Sequence, residues 1–377
     1  MTSALFNSAT VLVSLGSVLG KLSFPQYIMM TSIESLISSL NYKLCEDVMG
    51  AIDSGGVMYI HLFGSVFGIA ICIVLFCSTK EKNKILDFSS YYKNSYFSNT
   101  ICFFGTLFFW CYLPSFNSAL IKNENAKYRG IVNTYLALLG STVGSFTMSA
   151  LLNNGQFVFE QILFGSYAGG VMISGCCGIC DLGYIASLIG FLGGVITNLS
   201  LKFLKPYLVK YKLQDTANVI YAHFIPSFFG AFITPMIIGN FDRREKTWKE
   251  NKEKNLEVYS SLFHYLHSDR EPHEQSGIQI AAIFITVGIS FIGGISAGYL
   301  MKVSRNCGFA STYFTDSEFF DVDDDNIFDA PYNSYNNGPF FPIQQSYIIK
   351  NKMDMSGFDN QGIKTADMKA NQMSYNN

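Results

Sequence analysis

Charge is scarce in this sequence. Lys, Arg, Asp and Glu make up 14% of its 377 residues, too few to clothe a water-soluble globule of that size. Basic and acidic residues nearly balance, 26 against 28, so nothing in the charge points to nucleic acid and none is expected as a partner. No phosphate-cradling glycine loop occurs, which argues against an ATP-driven pump. No serine–histidine arrangement, intramembrane aspartate pair or metal cluster is found in the apolar runs. The chain is therefore not expected to be an enzyme, nor to hold a metal or a cofactor. No basic segment precedes the first apolar run and no A-x-A-like site follows it, so a cleaved signal peptide is not expected.

The nine cysteines do not make a disulfide framework, because Cys72, Cys77, Cys102, Cys111, Cys176, Cys177 and Cys180 lie inside apolar runs as small fillers. Cys177 and Cys180 match C-x-x-C but lack a second pair or a histidine at ligand spacing. Residues 294–298, GISAG, match G-x-S-x-G, yet they lie in a helical run with no histidine after His273. Helix packing is the reading there.

What is abundant is apolar surface: 49% of the chain is hydrophobic and 34 residues are Phe. Runs of about 18 to 25 apolar residues suffice to cross a core of roughly 30 Å. They lie near 3–20, 25–44, 56–77, 99–120, 131–152, 160–180, 183–204, 216–239 and 277–301. Several are dense in Gly, Ser and Ala, which lets helices approach backbone to backbone where lipid supplies no hydrophobic drive. The expected fold is all-α, a polytopic membrane helical bundle of about nine transmembrane helices in a lipid bilayer. Lys21 is the first charge and directly follows the first run; a positive flank there places the N-terminus outside and the C-terminal tail in the cytoplasm. The Lys/Arg-rich loop within 240–276 runs against that count, and its mixed charge and length reduce its weight. Residues 1–301 read as one membrane domain. Residues 302–377 read as a cytoplasmic, largely disordered tail, acidic at 321–330 and rich in Asn beyond.

Only five histidines occur, and two of them stand well inside apolar runs. DSGGVMYIHLFGSVFG (53–68) and DTANVIYAHFIPSFFG (215–230) agree without gaps at seven of sixteen positions, Asp, Val, Tyr, His, Ser, Phe and Gly. Composition alone would give about one such match. The copies fall in the third and eighth spans, so an odd number of spans separates equivalent points in the repeat and the two halves face opposite ways. Inverted halves with a site at their interface are the usual build of a membrane transporter. His61 and His223 follow their aspartates by eight residues, roughly 12 Å of helix, which brings both near the bilayer middle and face to face. A lone histidine at that depth is most simply a core residue bonded to backbone. Two in a matched repeat mark a pathway. Neutral imidazole both donates and accepts, so such a lining suits a small polar solute better than a bare cation.

Asp53 and Asp215 stand at the starts of their spans, where a carboxylate caps free backbone N–H groups; attraction of cations to a pore mouth is a second role open to either. Phe116 lies in WCYLPSFNSAL, where Pro114 is expected to stop the helix, and Phe6 opens the first span. Both belong to an FNSA tetrapeptide, at 6–9 and 116–119, whose spacing does not match the histidine repeat. The echo reads as coincidence.

DSGGVMYIHLFG, LPSFNSAL, IVNTYLAL, AGGV at 168–171 and KLQDT with a histidine eight residues beyond its Asp run in order through residues 1–301. In these motifs the chain resembles the Rh glycoprotein branch of the ammonium transporter family. The resemblance implies a homotrimer of helical bundles, each with its own narrow pore. It implies His61 and His223 as the twin pore histidines, Phe6 with Phe116 as the gate, and Asp53 on the vestibule side. It further implies passage of ammonium or ammonia, with NH4+ deprotonated at the outer mouth, by an integral protein of the plasma membrane or an organelle membrane. A non-transporting Rh-like scaffold and a channel for a neutral gas such as CO2 are the alternatives. Two departures stand out. Family members begin two or three spans earlier, and the glycine that usually follows the second histidine is here Phe224, expected to crowd the pore or shift the helix.

Overall fold

The computed structural model describes residues 2–77, 96–211, 213, 215–243 and 272–304. The Lys/Arg-rich stretch 244–271 and the tail from 305 on, on which the charge readings partly rested, lie outside the described residues. The helices are α1 (Thr2–Val18), α2 (Phe24–Tyr42), α3 (Phe63–Cys77), α4 (Tyr96–Asn117), α5 (Glu124–Leu152), α6 (Phe159–Ile173), α7 (Gly183–Leu199), a short α8 (Lys205–Lys210), α9 (Ile225–Arg243) and α10 (Pro272–Ser304). No strand occurs among the described residues. Each of the nine apolar runs overlaps one of these helices. Five continuous helical stretches among the described residues are long and apolar enough to cross a membrane, and Ala4–Val18 is a shorter apolar helix. By its contacts the chain divides into one unit of residues 1–87 and 102–320 and another of 88–101 and 321–377. Of the second unit, residues 96–101 at the start of α4 are described.

Helix boundaries follow from local chemistry. Ser23 and Gln26 form a capping box at the start of α2, with Pro25 in its first turn, and the Asn123 side chain accepts the Ala126 N–H at the start of α5 at 2.9 Å. Pro114 does not end α4, which runs on to Asn117. The proline sits in the last turn, where one missing N–H frees a single carbonyl, and membrane bundles tolerate that because neighbouring groups re-satisfy it.

Packing is organised by small residues. α5 lies against α6 and α7, α10 lies against α2, α3 and α9, and α1 lies against α3. Gly190 of α7 is so near Ala137 of α5 that any Cβ there would collide with the Ala137 carbonyl and Cα. Helices this close gain dispersion contacts between backbones, the main attraction available in lipid. GISAG belongs to such a seam: Gly294 of α10 lies on the Phe67 carbonyl and Gly298 on Val74 of α3. The C-x-x-C segment is likewise a packed turn, with Asn133 Nδ2 donating to the Cys177 and Cys180 carbonyls at 2.8 and 2.7 Å.

Buried polar atoms are tied between helices. Along α2, Gln26, Met30, Glu34, Ser38 and Asn41 form one buried face. Gln26 donates to the Met301 carbonyl of α10, Ser14 of α1 donates to Glu34, Ser38 donates to Asn7, and Asn41 donates to Thr286. Lys21, read from sequence as an interfacial flank, is only 3% exposed; its ammonium donates to the Ser17 carbonyl and to Cys72 Sγ. It sits inside the bundle because the turn after α1 folds it back on its own helix.

Replacing Gly190 with Val forces α5 and α7 apart. We expect a loss of about 1–3 kcal/mol, seen as a lowered unfolding midpoint in detergent, whereas Gly105→Ala, with open space around it, leaves the midpoint unchanged.

Candidate functional site

The two repeat copies share one backbone device. Asp53 is 5% exposed, and its carboxylate accepts the N–H groups of Val57, Met58 and Tyr59 at 2.7, 2.7 and 2.9 Å. Gly56 then turns left-handed at φ 80°, and the chain enters a π-turn, Val57–Leu62, before α3. In the second copy Asp215 accepts the Ile220 N–H at 2.6 Å, Asn218 is left-handed at φ 59°, and the π-turn Ile220–Phe224 leads into α9. Gly56 and Asn218 occupy the same repeat position. Glycine and asparagine are the residues that take positive φ most readily. Each histidine thus lies in a π-turn, not eight residues along a straight helix, and the depth expected from a regular rise does not apply. The wider turn leaves carbonyls unmatched, and a threonine fills one in each copy. Thr10 donates to the Tyr59 carbonyl at 3.2 Å and Thr197 to the Tyr221 carbonyl at 3.2 Å.

These turns bring His61 and His223 together although 162 residues separate them. Their Nδ1 atoms are 3.1 Å apart, and the rings stack with centroids 5.1 Å apart at 16°. His61 is 3% exposed, and its Nε2 is buried without a partner among the described residues. A gap of 3.1 Å between two nitrogens is a hydrogen bond only if one carries a hydrogen and the other does not. With both rings neutral, one Nε2 is then an acceptor and the other a donor.

Phe6 and Phe116 stack with centroids 4.5 Å apart at 11°. They form one apolar cluster with Val13, Ile60 and Val219, so the aromatic pair adjoins the residue before His61. The FNSA echo, read as coincidence, therefore joins two segments that meet. Each asparagine anchors its phenylalanine's helix: Asn7 donates to the Ser35 carbonyl at 3.1 Å, and Asn117 donates to the Gly170 carbonyl at 3.0 Å. A cavity of about 210 Å³ lies beside Phe6, lined by Asn7, Thr10, Ser38, Tyr42 and Tyr59 among others.

Asp53 and Asp215 are not brought to the histidines; they hold the backbone that carries them. Asp53 stands before its span, and burial pushes its carboxyl up to about 6 while the backbone N–H groups pull the other way. Around Asp215, one carboxylate oxygen is buried without a partner among the described residues, and Asn218 donates to Glu160, which also pairs with Lys205. The Phe224 ring lies 6.0 Å from that of Phe228 and packs between two apolar clusters. Sequence reasoning missed Tyr167, whose ring centroid is 6.0 Å from that of His223, and Thr10 and Thr197. Tyr167 directly precedes the AGGV motif, the one signal that could have drawn attention to it.

The Ammonium Transporter Family's sequence profile matches residues 1–306. The chain belongs to that family. It is an integral membrane protein with an all-α, inverted-repeat bundle. Rhesus-like glycoprotein B of Dictyostelium discoideum is 32% identical over 87% of this chain and 52% of its own length. Ammonium transporter Rh type B of Xenopus tropicalis is 33% identical over 80% of this chain and 64% of its own. The chain thus spans between half and two thirds of the length of these curated relatives. Among solved structures, Nitrosomonas europaea Rh50, described with a mechanism of conduction by the Rhesus protein family of channels, superposes with a TM-score of 0.68. Its identity is 26%, covering 95% of this chain and 80% of that one. Candida albicans Mep2 shares the fold, with a TM-score of 0.61 at 16% identity over 81% of this chain and 64% of that one.

Asp53→Ala strips the acceptor from three buried N–H groups. We expect it to cost at least about 2 kcal/mol, read as a lower unfolding midpoint, with Asp53→Asn intermediate because it keeps one acceptor oxygen.

Proposed function

We propose that this chain forms a pore that passes ammonia, taking its substrate from solution as ammonium and releasing it on the far side of the twin histidines. The contact between His61 and His223 Nδ1, 3.1 Å, carries this reading. A histidine pair in an apolar bundle gives a small neutral amine hydrogen-bonding partners at the point where water would otherwise be needed.

Energetics decide which species crosses. Carrying NH4+ whole into a dry passage costs on the order of tens of kcal/mol by the Born estimate. Removing its proton at neutral pH costs roughly 3 kcal/mol, about two pKa units at 1.36 kcal/mol each. Deprotonation is the cheaper route by a wide margin. Ammonium would gather at the outer mouth, where the faces of Phe6 and Phe116 attract a cation, and would leave its proton there. Ammonia would slip between the stacked rings as they part, exchange hydrogen bonds along the imidazoles, and regain a proton inside. In this scheme Asp53 and Asp215 act on the pore by fixing the π-turns. Assembly as a homotrimer, each subunit with its own pore, belongs to the same proposal.

Substituting His61 and His223 together by Leu is expected to abolish ammonia flux into proteoliposomes that report internal pH. Flux equal to that of the unsubstituted protein rejects the pathway. Phe6→Ala opens the gate and is expected to alter the rate without abolishing it.

A further inference from the structure

Beside His223, Leu201, Ile220, Tyr221 and Ile225 form a buried cluster, flanked by Ile69, Phe164 and Leu208 among others. A solute that lets go of an imidazole there needs another polar group to bond. Tyr167 supplies one. Its ring lies 6.0 Å from the His223 ring at 43°, and it is held edge-on from two sides, by Phe109 at 5.2 Å and 64° and by Phe164 at 6.3 Å and 76°. Its backbone is equally fixed, because the next two residues but one, Gly169 and Gly170, pack against Ala137 and Gly190 and against Leu113 and Leu138. No group among the described residues hydrogen-bonds the Tyr167 hydroxyl, and the residue is partly exposed. A ring clamped from two sides holds its phenol at a fixed place, where the O–H is open to a solute.

We infer that the Tyr167 hydroxyl is the next hydrogen-bonding station for ammonia after His223, on the side of the histidine pair away from Phe6 and Phe116. The inference rests on the ammonia pathway proposed above and adds a residue to it. Phenol both donates and accepts, so it matches a solute arriving from His223 whichever nitrogen of that ring carries the hydrogen. Ammonia would pass from a nitrogen partner to an oxygen partner without an interval in which it has none.

The test compares Tyr167→Phe with Tyr167→Leu in proteoliposomes, measuring ammonia flux beside that of the unsubstituted protein and the double histidine variant. Phe keeps the ring and its clamp and removes only the oxygen; Leu removes both. If the hydroxyl is the station, both variants lose flux to a similar extent, roughly three- to ten-fold for one net hydrogen bond, and the Phe variant keeps the unsubstituted unfolding midpoint. If Tyr167→Phe conducts like the unsubstituted protein, the inference is overturned, whether the Leu variant fails through lost packing or conducts as well. Should the unsubstituted protein conduct no faster than the double histidine variant, the pathway itself falls and this station falls with it.

Discussion

Two imidazole nitrogens 3.1 Å apart in the middle of an apolar bundle impose a demand that the rest of the molecule meets. Away from bulk water, each ring needs a backbone that cannot drift if the two nitrogens are to stay in contact. A regular α-helix would hide its own carbonyls and would not aim both rings at one point. The chain instead reaches each histidine through an aspartate clamp, a left-handed residue and a π-turn, and closes the resulting opening with a threonine from another helix. Local irregularity of this kind, costly by itself, persists because the surrounding packing over-determines it.

That packing has a division of labour. Around α5, α6 and α7, glycines bring backbones into contact, and side-chain hydroxyls such as that of Ser141 bond across to the Gly165 carbonyl. Around α1, α2, α3 and α10, longer polar side chains do the joining, through Gln26, Glu34 and Asn41. The first arrangement gives closeness and the second gives registry. Between them, Phe6, Val13, Ile60 and Val219 form the apolar cluster that adjoins His61.

Much of this was legible in the sequence. The bundle followed from the apolar runs, and the histidine pairing followed from a gapless repeat whose two copies fall in oppositely directed spans. Other features were hidden for definite reasons. Gly56 against Asn218 looks like divergence in an alignment, yet both serve one positive-φ position, so the likeness lies in backbone freedom and not in side-chain chemistry. Pro114 looks like a stop, but a proline in a last turn removes little. Lys21 looks like a boundary marker, and only the fold shows the chain doubling back to bury it. The Phe6–Phe116 stack could not be read from spacing, because the segments meet through tertiary packing. Tyr167 is one of 22 tyrosines, and nothing but its neighbours sets it apart.

The near-twofold backbone around the histidines conceals an asymmetry of a single atom. One hydrogen bridges two like nitrogens, so at any instant the dyad has a head and a tail: one outward nitrogen offers a hydrogen and its counterpart offers a lone pair. Exchanging those ends requires both rings to change tautomer in concert. A scaffold built from mirrored halves is thereby given polarity by a proton, and reversing that polarity is a chemical event even while every helix stays still.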